Sequence, residues 1–143
     1  MKVKLTLFVI GFCLITLSAG FLSPAVSPPS QSYNLTIMKV GDVWKVVHSD
    51  NHKKTEVKVK RNDTIIWTVE GSNAYLQFPE KLFNPAGKED SLSNGYTKFL
   101  KNGKKLKLKV KDDAAPGTYE YAVFITADGV FARGDSPPRI IIE

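Results

Sequence analysis

The chain closes with "GTYEYAVFITADGVFARGDSPPRIIIE", from Gly117 to Glu143, and its fold can be read outward from there. Pro116-Gly117 makes a tight turn into it. Tyr119 and Tyr121 then alternate with Glu120, so the two tyrosines share one face of an expected strand. "PRIIIE" supplies a closing strand rich in branched side chains. Between them, "TADGVFARGDSPP" reads as a hairpin followed by a loop, with Asp128-Gly129 as the turn and Pro137-Pro138 stiffening the approach to the last strand.

The same rhythm runs upstream. "YNLTIMKV" alternates, and "DVWKVVHS" follows after Gly41-Asp42. "TEVKVKR" sets Val57 and Val59 against Glu56, Lys58 and Lys60. "DTIIWTVE" is β-branched and aromatic, and "AYLQF" is shorter. "KKLKLKVK" puts Leu106, Leu108 and Val110 on one face and Lys105, Lys107, Lys109 and Lys111 on the other. Turn formers stand at Arg61-Asn62-Asp63, Asn94-Gly95 and Asn102-Gly103. Residues 79–95 are polar and predict at most one helical turn, around Glu80 to Phe83, ended by Pro85. Short strands at regular spacing, with no long helical pattern and no repeat, predict an all-β Greek-key sandwich of about seven to nine strands.

"VKVKRNDTIIWTVEGSNAYLQFP" and "KDDAAPGTYEYAVF" resemble two blocks of the cupredoxins, in the order those proteins carry them. The resemblance runs from about Val57 to Glu143. It implies a cupredoxin-like sandwich with its copper loops at one end, residues 71–76 and 127–138 of this chain. It places the first copper histidine near Ala74, the cysteine near Val123 and the second histidine near Thr126. None of these residues is a ligand. No histidine follows His52, no methionine follows Met38, and Cys13 is the lone cysteine. A blue-copper centre needs a thiolate and two imidazoles, so the type 1 site cannot be built. If the vacated pole is filled by side chains, Tyr75, Phe124 and Phe131 are the expected plugs, with Arg133, Asp135 and Ser136 left on the rim as a recognition loop.

At the other end of the chain, Lys2 and Lys4 precede an apolar run from Leu5 to Leu17, and Ser18, Ala19 and Gly20 follow. This predicts a signal peptide over 1–20, a Ser/Pro-rich spacer over 21–32 and one domain over 33–143. A retained membrane anchor is the competing reading of the first segment. Cleavage would remove Cys13, leaving neither a disulfide nor a thiolate ligand. The formal net charge is +6, and without Lys2 and Lys4 it falls to +4, with 18 Lys and Arg against 14 Asp and Glu. That excess is too small to indicate a nucleic-acid partner.

Other clusters are weaker. His48 and His52 flank a turn containing Asp50 and, with Met38, form a candidate peripheral copper site, the thioether favouring Cu(I). The plainer reading is a solvated loop. The lysine row Lys105, Lys107, Lys109 and Lys111 offers an anionic surface a contact, joined by Lys58, Lys60 and Arg61 if their strands are neighbours. The plainer reading is a solvated face that discourages edge pairing. Trp44, Trp67, Tyr119 and Tyr121 suit the core better than a sugar platform. No nucleophile elbow, phosphate-binding glycine loop or zinc-protease motif is present.

The expectation is therefore an exported, non-enzymatic binding or structural module without cofactor, periplasmic, cell-surface or secreted, with an unidentified envelope or extracellular protein as partner. The alternatives are a copper-handling protein using His48 and His52, and an accessory subunit of a larger envelope or redox assembly.

Overall fold

The computed structural model describes residue 26 and residues 28–79, 81–134 and 137–143. The segment read as signal peptide and half of the spacer lie outside them.

Alternation in the sequence becomes alternation of burial. β1 (Ser32–Val40) and β2 (Val43–His48) form a hairpin across Gly41, whose φ of 62° suits a residue without Cβ. β3 (Val57–Val59) buries both valines and exposes Lys58. β4 (Thr64–Val69) buries Ile65, Trp67 and Val69. β5 (Ala74–Gln77) buries Ala74 and Leu76 and exposes Tyr75 and Gln77. β6 is Phe83–Pro85, and a short 3-10 turn follows over Lys88–Asp90. β7 is Thr97–Leu100. β8 (Lys105–Val110) buries Leu106, Leu108 and Val110 beneath Lys105, Lys107 and Lys109. β9 (Gly117–Glu120), β10 (Ala122–Ile125), β11 (Val130–Phe131) and β12 (Arg139–Ile142) complete the chain.

Twelve strands replace the expected seven to nine. One cause is a change of sheet at Tyr121. β9 pairs with β12 up to Glu120↔Arg139, and β10 then pairs with β5 from Ala122↔Gln77. Tyr121 marks the crossing, its N–H donating to Pro138 O at 3.0 Å. Two further strands were not expected: β6 lies within the polar stretch 79–95, and β7 lies between the turn formers Asn94-Gly95 and Asn102-Gly103. Phe83 is in an extended strand, not a helical turn, because β8 offers it a ladder: Phe83 pairs with Val110.

The strands form a five-stranded sheet in the order β2-β1-β4-β8-β6, a four-stranded sheet β11-β10-β5-β7 and a three-stranded sheet β3-β12-β9. β1–β4 and β3–β12 are parallel pairs, and the other pairs are antiparallel. Parallel neighbours need crossover connections, so the chain passes between layers more than once. All three sheets contribute to one buried cluster. Its centre is aromatic: Trp67 lies 5.3 Å from Phe78, 5.8 Å from Phe83 and 6.0 Å from Tyr121, centroid to centroid. The Trp67 indole N–H donates to the Tyr121 hydroxyl at 3.1 Å, which satisfies a polar group that burial would otherwise leave unpaired. Burial pushes the Tyr121 hydroxyl pKa far up, partly opposed by that hydrogen bond, so it stays protonated.

Candidate functional site: a closed pole and two unlike faces

Loops 71–73, 101–103 and 126–129 meet at one end of the sandwich, where the resemblance placed the copper loops. They are tied by short polar bonds. Thr126 N–H donates to Asn73 O (3.1 Å), Ala127 N–H to Ser72 Oγ (3.1 Å), Gly71 N–H to Asn102 Oδ1 (2.9 Å) and Asn102 N–H to Asn73 Oδ1 (2.8 Å). Ala74 and Val123 are fully buried. Thr126 is exposed, its hydroxyl donating to Asn73 O at 3.2 Å. These side chains supply no imidazole or thiolate, so the donor set of a blue-copper centre is missing from this pole.

A different residue from those expected closes it. Trp44 is buried, and its Nε1–H donates to Asp128 Oδ2 at 2.6 Å. Lys39 Nζ donates to the same oxygen at 3.0 Å. A Cβ on Gly71 would lie 3.4 Å from Cη2 of the indole, so the loop lies against the edge of the ring. The Trp44 and Lys39 hydrogen bonds hold the Asp128 carboxyl below the usual aspartate range. The hairpin carrying Asp128 is stitched along β2 as well: Arg133 N–H donates to Trp44 O and Val46 N–H to Arg133 O.

Tyr75, Phe124 and Phe131 do not plug the pole. Ala74, Leu76, Val123 and Ile125 take the inward positions, so the period of two turns Tyr75 and Phe124 outward. Phe131 is 63% exposed and Tyr75 is 52% exposed. Phe131→Ala therefore removes no core side chain, and the large loss expected of a buried phenylalanine does not apply.

What these residues make instead is a row. Phe131 pairs with Phe124, Phe124 with Tyr75, and Tyr75 with Phe99, across all four strands of the sheet. Phe99 is 39% exposed. Ring centroids are 5.3 Å apart for Phe124–Phe131 and 4.7 Å for Tyr75–Phe99, with the rings tilted by 66° and 44°. On one side of the row the register sets Ala122, Gln77 and Thr97, and on the other Thr126 and Asn73. Phe99 carried no signal by itself, since "YTKFL" is short and does not alternate. Only its register beside Tyr75 brings it into the row.

The opposite outer face is polar. Lys105, Lys107 and Lys109 of β8 stand beside Thr68, Ile66 and Thr64 of β4. A shallow groove of about 550 Å³ runs from this face to the β7 edge of the aromatic sheet, lined by Lys98, Lys101, Lys104, Lys105 and Lys107 with Glu89, Asp90, Phe99 and Leu100. Among the described residues the ion pairs are Lys39–Asp128 and Arg139–Glu56, so none of these lysines is neutralised by one. Lys58 is not beside them, because β3 pairs with β12 in another sheet. Lys60 and Arg61 do reach Lys109, around a depression at the end where β1 begins.

The histidines are separated. His48 points inward from β2, buried, with Nε2 2.7 Å from Glu56 O. His52 instead lines a surface depression with Met38, Thr36, Ser49, Glu70 and Lys105. Thus Met38 and His52 share a surface that His48 does not. Among the described residues no group of three or more His, Cys, Asp or Glu is placed to hold a metal ion. Arg133 is exposed beside Ala132, while Asp135 and Ser136 lie outside the described residues.

No protein-family model and no curated protein matches the chain. Solved structures similar to it are cupredoxins. Amicyanin from Paracoccus versutus is 16% identical, covers 81% of this chain and 85% of its own, and superposes with a TM-score of 0.43. A methionine-to-glutamine mutant of amicyanin in its Cu(I) form is 14% identical over 78% of this chain and 82% of its own, TM-score 0.42. A pseudoazurin from Sinorhizobium meliloti is 15% identical over 79% and 74%, TM-score 0.41. At these scores they bear on nothing beyond the outline of a sandwich, which the strand pairings establish by themselves. Among the described residues no helix is long and apolar enough to cross a membrane.

Proposed function

We propose that the chain is an exported, non-enzymatic binding module of cupredoxin-like fold, lacking a type 1 copper site, that meets a protein partner through its aromatic sheet face. The carrying observation is the in-register row Phe131–Phe124–Tyr75–Phe99, left open to solvent on a domain whose inward positions are otherwise filled by apolar side chains. Contiguous exposed apolar surface of this kind marks contact sites on soluble domains. The pole supports the reading from the other side. Trp44 and Asp128 occupy the end where a cupredoxin would hold metal, so recognition falls to the outer faces.

The leader-like segment supports export. An accessory subunit of a larger envelope assembly would use the same surface, and differs only in having a permanent partner. A copper-handling role is less well supported, since His48 is turned away from Met38 and His52.

Site-specific photocrosslinking in the exporting host tests the reading. A crosslinker at Phe131 or Tyr75 is expected to trap a discrete protein adduct, and one at Thr64, on the polar face, to trap none. Equal labelling from both faces would sink it. Separately, Cu(II) added to the purified protein is expected to give no intense blue absorption, and such a band would refute the missing centre.

A further inference from the structure

We propose that the occupant of the aromatic face is a second copy of this chain, held in a reversible dimer by sheet-face packing. This rests on the reading of that face as a contact surface.

Two observations favour a second copy, and a third sets its strength. The first is self-complementarity. A two-fold axis lying in the interface parallel to the strands, between β10 and β5, sets Phe131 over the partner's Phe99 and Phe124 over the partner's Tyr75. An axis across the strands sets each aromatic over its own copy. Either way ring meets ring, as an isologous contact requires. Rings tilted by 44° and 66° do not make a flat platform, but they do interdigitate.

The second is charge. The formal net charge is +6, so two copies repel wherever lysines meet. No charged side chain stands in the aromatic row. At its β7 end Phe99 lines a groove with Lys98, Lys101, Lys104, Lys105 and Lys107, and at its β11 end Arg133 stands one step past Ala132. An axis across the strands would stack the two lysine clusters on each other. The axis parallel to the strands sets the β7 edge of each copy over the partner's β11 edge and keeps the clusters apart, so it is the arrangement that pairs the rings with the least repulsion.

The third is area. Four strands spaced about 4.8 Å apart and four residues long give a footprint on the order of 200 Å², well under the ~800 Å² per partner of a stable complex. The face suits a weak pair and not a permanent one.

Sedimentation equilibrium of the protein as isolated from an exporting host tests this. The weight-average mass is expected to rise from monomer toward dimer between about 10 µM and 1 mM, a micromolar-to-millimolar affinity. Added salt is expected to strengthen the pairing, because it screens repulsion and leaves apolar contact intact. Phe131→Ser and Tyr75→Ser are expected to abolish the rise while melting as the parent does. Should either variant unfold, the salt dependence of the parent protein still decides. A monomer at every concentration overturns the proposal, as does a dimer that salt dissociates or that survives both substitutions. A monomer whose Phe131 still crosslinks to a different protein overturns the second copy but leaves the binding face standing.

Discussion

The two outer faces of this sandwich follow the same alternation and end up chemically opposite. On β8, Leu106, Leu108 and Val110 go in, and the outward positions are lysines. On β5 and β10, Ala74, Leu76, Val123 and Ile125 go in, and the outward positions include Tyr75 and Phe124. The inner faces are interchangeable in kind. Solvation accounts for the lysine face, since charged side chains lose nothing by standing in water; β8 is paired on both sides, by β4 and β6, so these lysines guard no sheet edge. It does not account for the aromatic face, where each ring left in water forfeits burial worth about 1.5–3 kcal/mol. A face that forgoes such burial in the isolated chain is the one at which function is to be sought.

Adjacent residues on β5 put the contrast between core and face to its hardest trial. Leu76→Ala should cost about 2–5 kcal/mol in denaturant unfolding, because Leu76 is fully buried. Tyr75→Ser, one residue away, should stay within about 0.5 kcal/mol. Equal losses would mean that the aromatic row belongs to the core and is not a surface.

A second test lies under both faces. Tyr121→Phe keeps the ring packing but leaves the buried Trp67 indole N–H without its acceptor. It should cost about 1–3 kcal/mol. A melt unchanged from the parent would mean that the hydroxyl is not needed at the point where the chain changes sheet.

Acid probes the pole between the faces. The folded-state pKa of Asp128 is depressed, so its contribution is fully present above the unfolded aspartate value near ~4 and is lost as pH falls through the lower folded value. Asp128→Asn removes that titration, so melting temperatures measured from pH 6 to pH 2 should fall less steeply for the variant than for the parent. Parallel slopes would show that the Trp44 and Lys39 contacts do not stabilise the ionised form.

The smallest effect is expected on the lysine face. Replacing Lys105, Lys107 and Lys109 together by Gln should change stability by no more than about 0.5 kcal/mol per site, while lowering retention on a cation-exchange column. A large loss of stability would give the lysines a structural role that their missing ion pairs do not suggest.

The class of fold was legible in the residue pattern, because inward and outward residues alternate so regularly in β3, β4 and β8 that only half-buried strands satisfy them. Legible too was that the positions at which the resemblance places copper ligands carry none, since no cysteine follows Cys13 and no histidine follows His52. Which aromatics are exposed was settled only by the pairing of strands. Tyr75, Phe99, Phe124 and Phe131 come from three separate parts of the chain, and the register sets them side by side. Trp44 closes the pole through Asp128, a partner 84 residues away. The same long-range pairing split β9 from β10 at Tyr121 and turned His48 inward, away from His52. Local pattern sets which way a side chain points relative to its own strand. What it meets there depends on distant segments, which no local stretch of sequence contains.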